Sequence, residues 1–496
     1  VQYLFSMKGK SPAISQTLRS YLPLKEDFSK NLRPILAGLC CLVLVDFLQL
    51  MIPLFIKRAV DGLTVGTATS SILLQYGAAI MAISIVMAAL RYVYRLFLFG
   101  HSRKVERSLR NRLYGHLQTL SVSFFQRTRT GDIMARAIND INGIRMATGI
   151  GLVALTDGLV LGTTAIAFMI YIDFRLALIS LIPAPIIILL TRILTRRMST
   201  GYERVQKTFS DLTEKVRESF AGIRVIKAYG REPWGYKRVK SEGETYISEN
   251  MDLAGTVALF FPMMGILTNV SLALVIWWGG RLTILGDITT GDLVAFISYL
   301  NLLTWPLMAI GWVTNLVQRG AASMRRINRF LEEVPEIAGP PSAGEALRVR
   351  GEVAFRGVTL CYPGHREEAL RDIHLTVQAG QTVSLVGPVG SGKSTLLQTI
   401  PRLLDPTRGQ VLMDGRDVRD MSLAGLRGAV GFVTQDPIVF SDTIRSNVIF
   451  GRPNLSEEAL EEALRAAEFY GEVADMARGP DTVIGEKGVT LSGGQR

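Results

Sequence analysis

Residues Gly387-Pro388-Val389-Gly390-Ser391-Gly392-Lys393-Ser394-Thr395 follow the order G-x-x-x-x-G-K-[ST], a pattern whose chemistry is the binding of a polyphosphate. Its glycines let the backbone curl so that successive N–H groups, and the N-terminus of a following helix, meet phosphate oxygens. In such a loop Lys393 would reach the β- and γ-phosphates, and the Ser394 hydroxyl would ligate Mg²⁺. The loop needs a strand before it and a helix after it. Thr382-Val383-Ser384-Leu385-Val386 is short, continuous and apolar and reads as a buried strand, and Leu396-Leu397-Gln398-Thr399-Ile400 reads as the helix.

The residues before this segment belong to a different solvent. The chain is 48% hydrophobic with a mean hydropathy of +0.27, which points to a membrane protein. A crossing takes roughly 20 predominantly apolar residues. Six segments supply them, at 35 to 57, 72 to 99, 150 to 172, 175 to 195, 255 to 278 and 284 to 316. Short connections join spans one and two, three and four, and five and six, and they hold almost no Lys or Arg. The other two are long and basic: residues 101 to 149 carry Arg103, Lys104, Arg107, Arg110, Arg112, Arg127, Arg129, Arg136 and Arg145, and residues 196 to 254 carry Arg196, Arg197, Arg204, Lys207, Lys215 and Arg217. Positive charge marks the cytoplasmic side, so both long connections, both termini and everything after residue 316 are expected there. The formal charge of +12 is thereby explained by orientation. No nucleic-acid-binding signature accompanies it, and nucleic acid is not an expected partner.

Both long connections continue the helical pattern of the neighbouring spans and are expected to project into the cytoplasm as helices. Each has a turn-like interruption, at Phe124-Phe125-Gln126-Arg127-Thr128-Arg129-Thr130-Gly131-Asp132 and at Phe220-Ala221-Gly222-Ile223-Arg224 with Val225 to Glu232 following. Ionisable residues inside spans are costly and so become functional candidates. Asp46 in span one and Asp157 in span three are placed to contact a cationic substrate or to bond a neighbouring helix. Arg91 and Arg95 read as snorkelling toward the cytoplasmic interface, and Pro183 and Pro185 as bending span four. Cys40, Cys41 and Cys361 show no metal or disulfide spacing and read as small buried hydrophobes. The N-terminal sequence, polar and basic from Lys8 to Arg33, lacks the pattern of a cleaved leader, so the first span is expected to act as its own insertion signal.

With the phosphate loop in place, Leu491-Ser492-Gly493-Gly494-Gln495 looks like the signature motif of ATP-binding-cassette proteins. The resemblance reaches further. Tyr362 sits where the family places an aromatic ring against adenine. Val433-Thr434-Gln435-Asp436 looks like its Q-loop, giving Gln435 a place beside Mg²⁺ and the catalytic step. Pro437 to Val448 and the segments Phe125 to Asp132 and Phe220 to Glu232 resemble the exporter pattern, the latter two as coupling-helix regions. The resemblance covers essentially the whole chain from about residue 15 and fits best the bacterial multidrug and lipid exporters.

It implies a multidomain membrane protein: a cytoplasmic segment at 1–34, an all-α six-helix transmembrane exporter domain at 35–333, a linker at 334–350 and an incomplete α/β P-loop NTPase domain at 351–496. It also implies ATP and Mg²⁺ as cofactors and a second half-transporter as partner. In a head-to-tail pair, ATP would lie between Gly387 to Thr395 of one subunit and Leu491 to Gln495 of the other. Substrates would be small hydrophobic or amphipathic drugs or lipids, moved across a bacterial plasma membrane. The family's catalytic Glu and its Mg²⁺-binding Asp follow the signature motif, beyond Arg496, so the chain as given is expected to bind nucleotide weakly and not to turn it over. A rival reading makes it a cassette protein whose ATP binding gates a channel or regulates a partner without its own hydrolysis. A soluble ATPase is a third, and the six spans weigh against it.

Overall fold

The computed structural model describes residues 19–339, 348–362, 367–435, 438–452 and 454–485. The signature residues Leu491 to Gln495, and Asp436 and Pro437, lie outside the described residues. The chain divides into two compact units, one of Val1–Leu120 and Phe124–Val334, the other of Ser121–Ser123 and Pro335–Arg496.

Six long helices build the first unit: α1 (Leu32–Val65), α2 (Ser70–Leu117), α3 (Thr130–Ile172), α4 (Phe174–Ala221), α5 (Glu232–Leu285) and α6 (Thr290–Leu331). Each contains an apolar stretch long enough to cross a membrane. Hydrocarbon supplies no hydrogen-bond partners, so a crossing segment must satisfy its backbone internally, and a helix does so. The 48 residues of α2 rise about 70 Å at 1.5 Å each, more than twice the ~30 Å of hydrocarbon. The excess lies in the polar, basic ends that the sequence assigns to one side. The sequence-based spans underestimate helix length for this reason, since hydropathy sees only the apolar part. The two interruptions are short helices, Val122–Arg127 and Ile223–Ala228.

The spans pack through two cores. One joins α1, α3, α4, α5 and α6 around Leu50, Met169, Leu176, Val275, Phe296 and Tyr299, where the Tyr299 hydroxyl donates to the Leu50 carbonyl at 3.0 Å. The other gathers the extended ends of α2, α3 and α6 around Leu109, Leu113, Ile141, Ile144, Met324 and Ile327. Lipid is as apolar as leucine, so close approach depends on small residues. A side chain at Gly38 would meet Leu98 of α2 at 2.9 Å, which is how α1 and α2 come together.

Two features of this unit escape periodicity. Helix α3 widens into π-helical turns at Arg136–Asp140 and Ala147–Gly151, each inserting a residue and rotating the faces on either side. Asp140, buried at the end of the first, accepts Ser323 Oγ at 3.0 Å and Arg326 Nε at 2.9 Å from α6. Helix α4 breaks at residues 181–183 between Phe174–Ser180 and Ala184–Ala221, because Pro183 and Pro185 remove backbone donors; the expected bend is a full interruption. By contrast Pro53, Pro262 and Pro306 lie inside unbroken helices.

Two expectations are corrected. Cys40 is exposed, and Cys41 and Cys361 are partly so: for the two in α1, the outer surface of a membrane bundle is itself apolar and small hydrophobes need no interior there, whereas Cys361 sits at the end of a strand of the second unit, Val353–Cys361. Arg91 and Arg95 are exposed, and both border a cavity among the helices. Thr382 to Val386 is irregular rather than a strand, with Val386 93% exposed. A parallel strand exists only by pairing, and among the described residues no segment pairs with this run.

In the second unit β1 (Val353–Cys361), β2 (Glu368–Val377), β3 (Arg408–Met413) and β4 (Arg416–Asp417) form an antiparallel sheet in the order β2-β1-β3-β4. Val353 pairs with Val377 on one side and Met413 on the other. The β3–β4 turn is Asp414-Gly415, both at positive φ, the pairing that tight hairpins favour. The Asp414 carboxylate accepts N–H groups from Arg350, Gly351 and Glu352 at 2.6, 3.0 and 2.9 Å. These bonds, that of Arg350 foremost, hold the carboxyl below its ordinary range. Helix α7 (Lys393–Thr399) packs Leu396 against Phe355, Leu370 and Val411 of the sheet, and helix α8 (Leu423–Gly428) contributes Leu426.

A side chain at Gly320 in α6 would fall 2.5 Å from Ala147 Cβ in the second π turn, and nearer still to the Tyr21 hydroxyl, which donates to the Val317 carbonyl at 2.9 Å. In an open helix Gly320→Ala would add about 1 kcal/mol of stability. Here overpacking opposes it by about 1–3 kcal/mol, and a lower thermal unfolding midpoint in detergent is the expected outcome.

Candidate nucleotide site and a polar membrane cavity

The loop 387–392 leads into α7, and Gly392 at its N-cap has φ +85°. The position excludes a side chain twice over. Left-handed backbone disfavours Cβ, and a Cβ here would lie 2.6 Å from the Ala369 carbonyl oxygen and 2.8 Å from Leu370 Cδ2 of β2. The loop is thus pressed onto the sheet by a contact that only glycine permits. Lys393 follows, and its ammonium donates to the Gly387 and Pro388 carbonyls at 2.7 and 2.8 Å and to Ser391 Oγ at 3.3 Å. A cation is therefore fixed over a curled run of backbone.

Of the other candidate residues, Val389 and Ser391 are exposed on the loop and Ser394 is exposed on the first turn of α7. Thr395 is buried, with its hydroxyl 2.9 Å from the Tyr362 hydroxyl. Tyr362, just past β1, is thereby tied to the loop's helix. Gln435 is exposed on an irregular segment, and no hydrogen bond joins it to the loop. The structure brings Tyr362 to the helix that follows the loop, through Thr395. The donor set suits a polyphosphate with Mg²⁺: a lysine as a point charge, open loop backbone, and a hard hydroxyl oxygen on Ser394. Mg²⁺ takes one or two protein oxygens and completes its shell with phosphate and water.

The first unit contains a second site. A cavity of about 480 Å³ opens between α1, α2, α3 and α6, and Gln49, Arg91, Arg95, Asp157, Asn301 and Trp305 are among its lining. Arg91 Nη2 donates to Gln49 Oε1 at 2.9 Å, and Trp305 Nε1 donates to Asp157 Oδ2 at 3.1 Å. Ionisable groups of both signs, Arg91, Arg95 and Asp157, thus meet at one cavity, where polar neighbours replace the hydrocarbon that would leave them unpaired. Sequence reasoning singled out Asp157 and missed Gln49, Asn301, Trp305 and Trp312. Their signal was helical spacing: Asp46 and Gln49 are three apart, as are Arg91 and Tyr94, and Asn301 and Trp305 are four apart, so each pair shares a face.

Comparison with known proteins gives two family matches, to the ABC transporter transmembrane region over residues 35–307 and to the ABC transporter over residues 370–496. The probable multidrug resistance ABC transporter ATP-binding/permease protein YheI of Bacillus subtilis is 32% identical across 92% of this chain and 78% of its own. The multidrug resistance-like ATP-binding protein MdlA of Escherichia coli is 33% identical across 97% and 81%. The ATP-dependent lipid A-core flippase of Syntrophus aciditrophicus is 32% identical across 92% and 76%. Among solved structures, a bacterial Atm1-family ABC exporter with ATP bound aligns with a TM-score of 0.73 and 26% identity, over 93% of this chain and 82% of that one.

Substituting Gly392→Ala should move the loop off β2 and weaken nucleotide binding by tenfold or more, equivalent to about 1.4 kcal/mol or more. Binding of a fluorescent ATP analogue, with circular dichroism to show that the fold is retained, measures it.

Proposed function

Because this chain belongs to the ABC transporter family, we propose that it is one half of an exporter that moves a hydrophobic or amphipathic solute, a drug or a lipid, across the plasma membrane by alternating access. One observation carries the reading: a phosphate loop closed by Lys393 shares a chain with six membrane-length helices. The membrane unit supplies a path and a polar cavity within it, and the ATP-binding domain supplies an energy source. The relatives named as multidrug and lipid exporters support the direction of transport and the breadth of the substrate class.

In this reading two cassettes meet head to tail around MgATP. Gly387 to Thr395 wrap the phosphates, Lys393 neutralises the β- and γ-phosphate charge, and Ser394 with Gln435 faces the metal. Tyr362 stacks on adenine. Leu491 to Gln495 of the opposite subunit presents backbone N–H groups and the Ser492 hydroxyl to the γ-phosphate. ATP bound between the subunits holds them together, and hydrolysis removes that adhesive. The short helices Val122–Arg127 and Ile223–Ala228 pass cassette closure to the spans as rigid-body motion. The second of them is suited to docking, because Val225 and Tyr229 are exposed apolar side chains, Tyr229 by 76%, on a face with a groove lined by Ile226 and Trp234. Both termini are cytoplasmic in this arrangement, following the placement of positive charge.

Replacing Lys393 with Ala in every nucleotide site should reduce ATP turnover about a hundredfold or more and abolish uptake of a fluorescent amphiphile into inverted membrane vesicles. Transport that persists in that variant would refute an ATP-driven mechanism. Exchanging exposed Val225 for Asp should leave the fold intact, separate the two activities and lower transport per ATP hydrolysed. The ratio of the two rates in proteoliposomes measures it.

A further inference from the structure

On α2, Leu96, Arg103 and Arg107 recur at spacings of seven and four and so share one face of the helix. All three are exposed, and Gly100 between them opens space, since a side chain there would meet nothing. The face thus passes from apolar to basic within about three turns. Helix α1 makes the same change at the same depth, from exposed Leu36 to exposed Arg33. A pair of bonds fixes that level: Lys104 donates its ammonium to Asn31 Oδ1 at 3.2 Å, and Asn31 Nδ2 donates to the Asp27 carbonyl at 2.9 Å. Where the exposed side chains of a crossing helix turn from apolar to basic, the headgroup layer begins.

Charge at this end does not cancel. Glu26 pairs with Lys30 at 2.6 Å, Asp27 with Arg112 at 2.7 Å, and Glu106 with Arg103 and Arg110 at 3.0 and 2.9 Å. Among the described residues, no carboxylate lies within ion-pairing distance of Arg33, Lys104 or Arg107. In open water such cations would need nothing more than solvent and mobile ions. These three border hydrocarbon, where a lower dielectric raises their mutual repulsion, and Lys104 is held by Asn31 rather than free to turn away. A ligand that relieves them must be anionic at one end and apolar at the other. Nucleic acid meets the first condition and fails the second.

We propose that this α1–α2 junction binds an anionic phospholipid, its phosphate held by Arg33, Lys104 and Arg107 and its acyl chains laid along Leu96 and Leu36. Guanidinium groups present paired N–H donors to phosphate oxygens, and the Lys104 ammonium adds a point charge. The lipid is a resident ligand that anchors the junction between the short helix Lys25–Lys30 and α1 at the membrane surface. It needs neither nucleotide nor the cavity between α1, α2, α3 and α6, so the inference goes beyond the export reading and does not rest on it.

The test uses the full-length protein, assembled with its partner subunit in detergent without nucleotide, and dioctanoyl phosphatidylglycerol as probe, with occupancy read by native mass spectrometry. Phosphatidylglycerol should bind tenfold or more tighter than phosphatidylcholine of the same chain length, and the margin should shrink as salt is raised. Combining Arg33→Gln, Lys104→Gln and Arg107→Gln should lower its affinity about a hundredfold, at roughly fivefold per cation. Arg107→Gln alone should cost about fivefold, and it keeps the test open where the triple variant does not elute as the assembled dimer. Inorganic phosphate at the same concentration should not displace the lipid; if it does, the site takes a free anion and the proposal falls. Displacement by polyglutamate would assign the surface to an acidic protein partner instead. An equal loss of affinity from Arg129→Gln, Lys207→Gln and Lys237→Gln, exposed cations away from this junction, would show a general field in place of a site. Unchanged affinity in the assembled triple variant, or no preference for phosphatidylglycerol, would likewise overturn the proposal. Survival of transport in Lys393→Ala would remove the ATP-driven reading and leave the lipid site standing.

Discussion

Hydrocarbon offers a backbone no hydrogen bonds, and most of this structure follows from that single constraint. It forces each crossing segment to be a helix, and it removes the hydrophobic drive for those helices to associate. Association must then come from close packing and from polar groups that have nowhere else to go. Gly38 against Leu98 and the Tyr299 hydroxyl on the Leu50 carbonyl are the two kinds of solution. The same constraint concentrates charge. Arg91, Arg95 and Asp157 gather on one cavity among the helices, because a lipid-facing position would leave each unpaired.

Outside the hydrocarbon the rules reverse and the helices keep going. The extended ends of α2, α3 and α6 share a leucine- and isoleucine-rich core, and water now drives its burial. Where α3 enters this region it carries two π turns. The first positions Asp140 to receive Ser323 and Arg326 of α6, and the second meets α6 at Gly320. Two wide turns and one glycine thereby set the register between α3 and α6.

In the second unit rigidity is placed where phosphate must be met. Gly392 lets the loop rest on the Ala369 carbonyl, the Tyr362–Thr395 contact ties α7 to the end of β1, and Lys393 is held over its own loop by carbonyls. Each contact is local in space yet joins segments tens of residues apart. Binding geometry of this kind comes from a sheet and a helix, with the loop as a consequence of both.

The sequence by itself determined the number of membrane-length helices and the curled loop before α7, since each depends on runs or spacings of residue type that act through local physics. Six apolar stretches must become helices in lipid, and G-x-x-x-x-G-K-S curls wherever a helix follows it. A bend at Pro183 was legible for the same reason, but its extent, a full break at residues 181–183, was not. What only the tertiary structure decided is everything that needs a second segment. Thr382 to Val386 has a strand's composition, but a strand exists through its neighbour, and no described segment pairs with it. Arg91 is tied to Gln49 on another helix, and the face that α1 turns toward α3 is set by packing around Leu50 and Met169; no periodicity within any one helix encodes either contact.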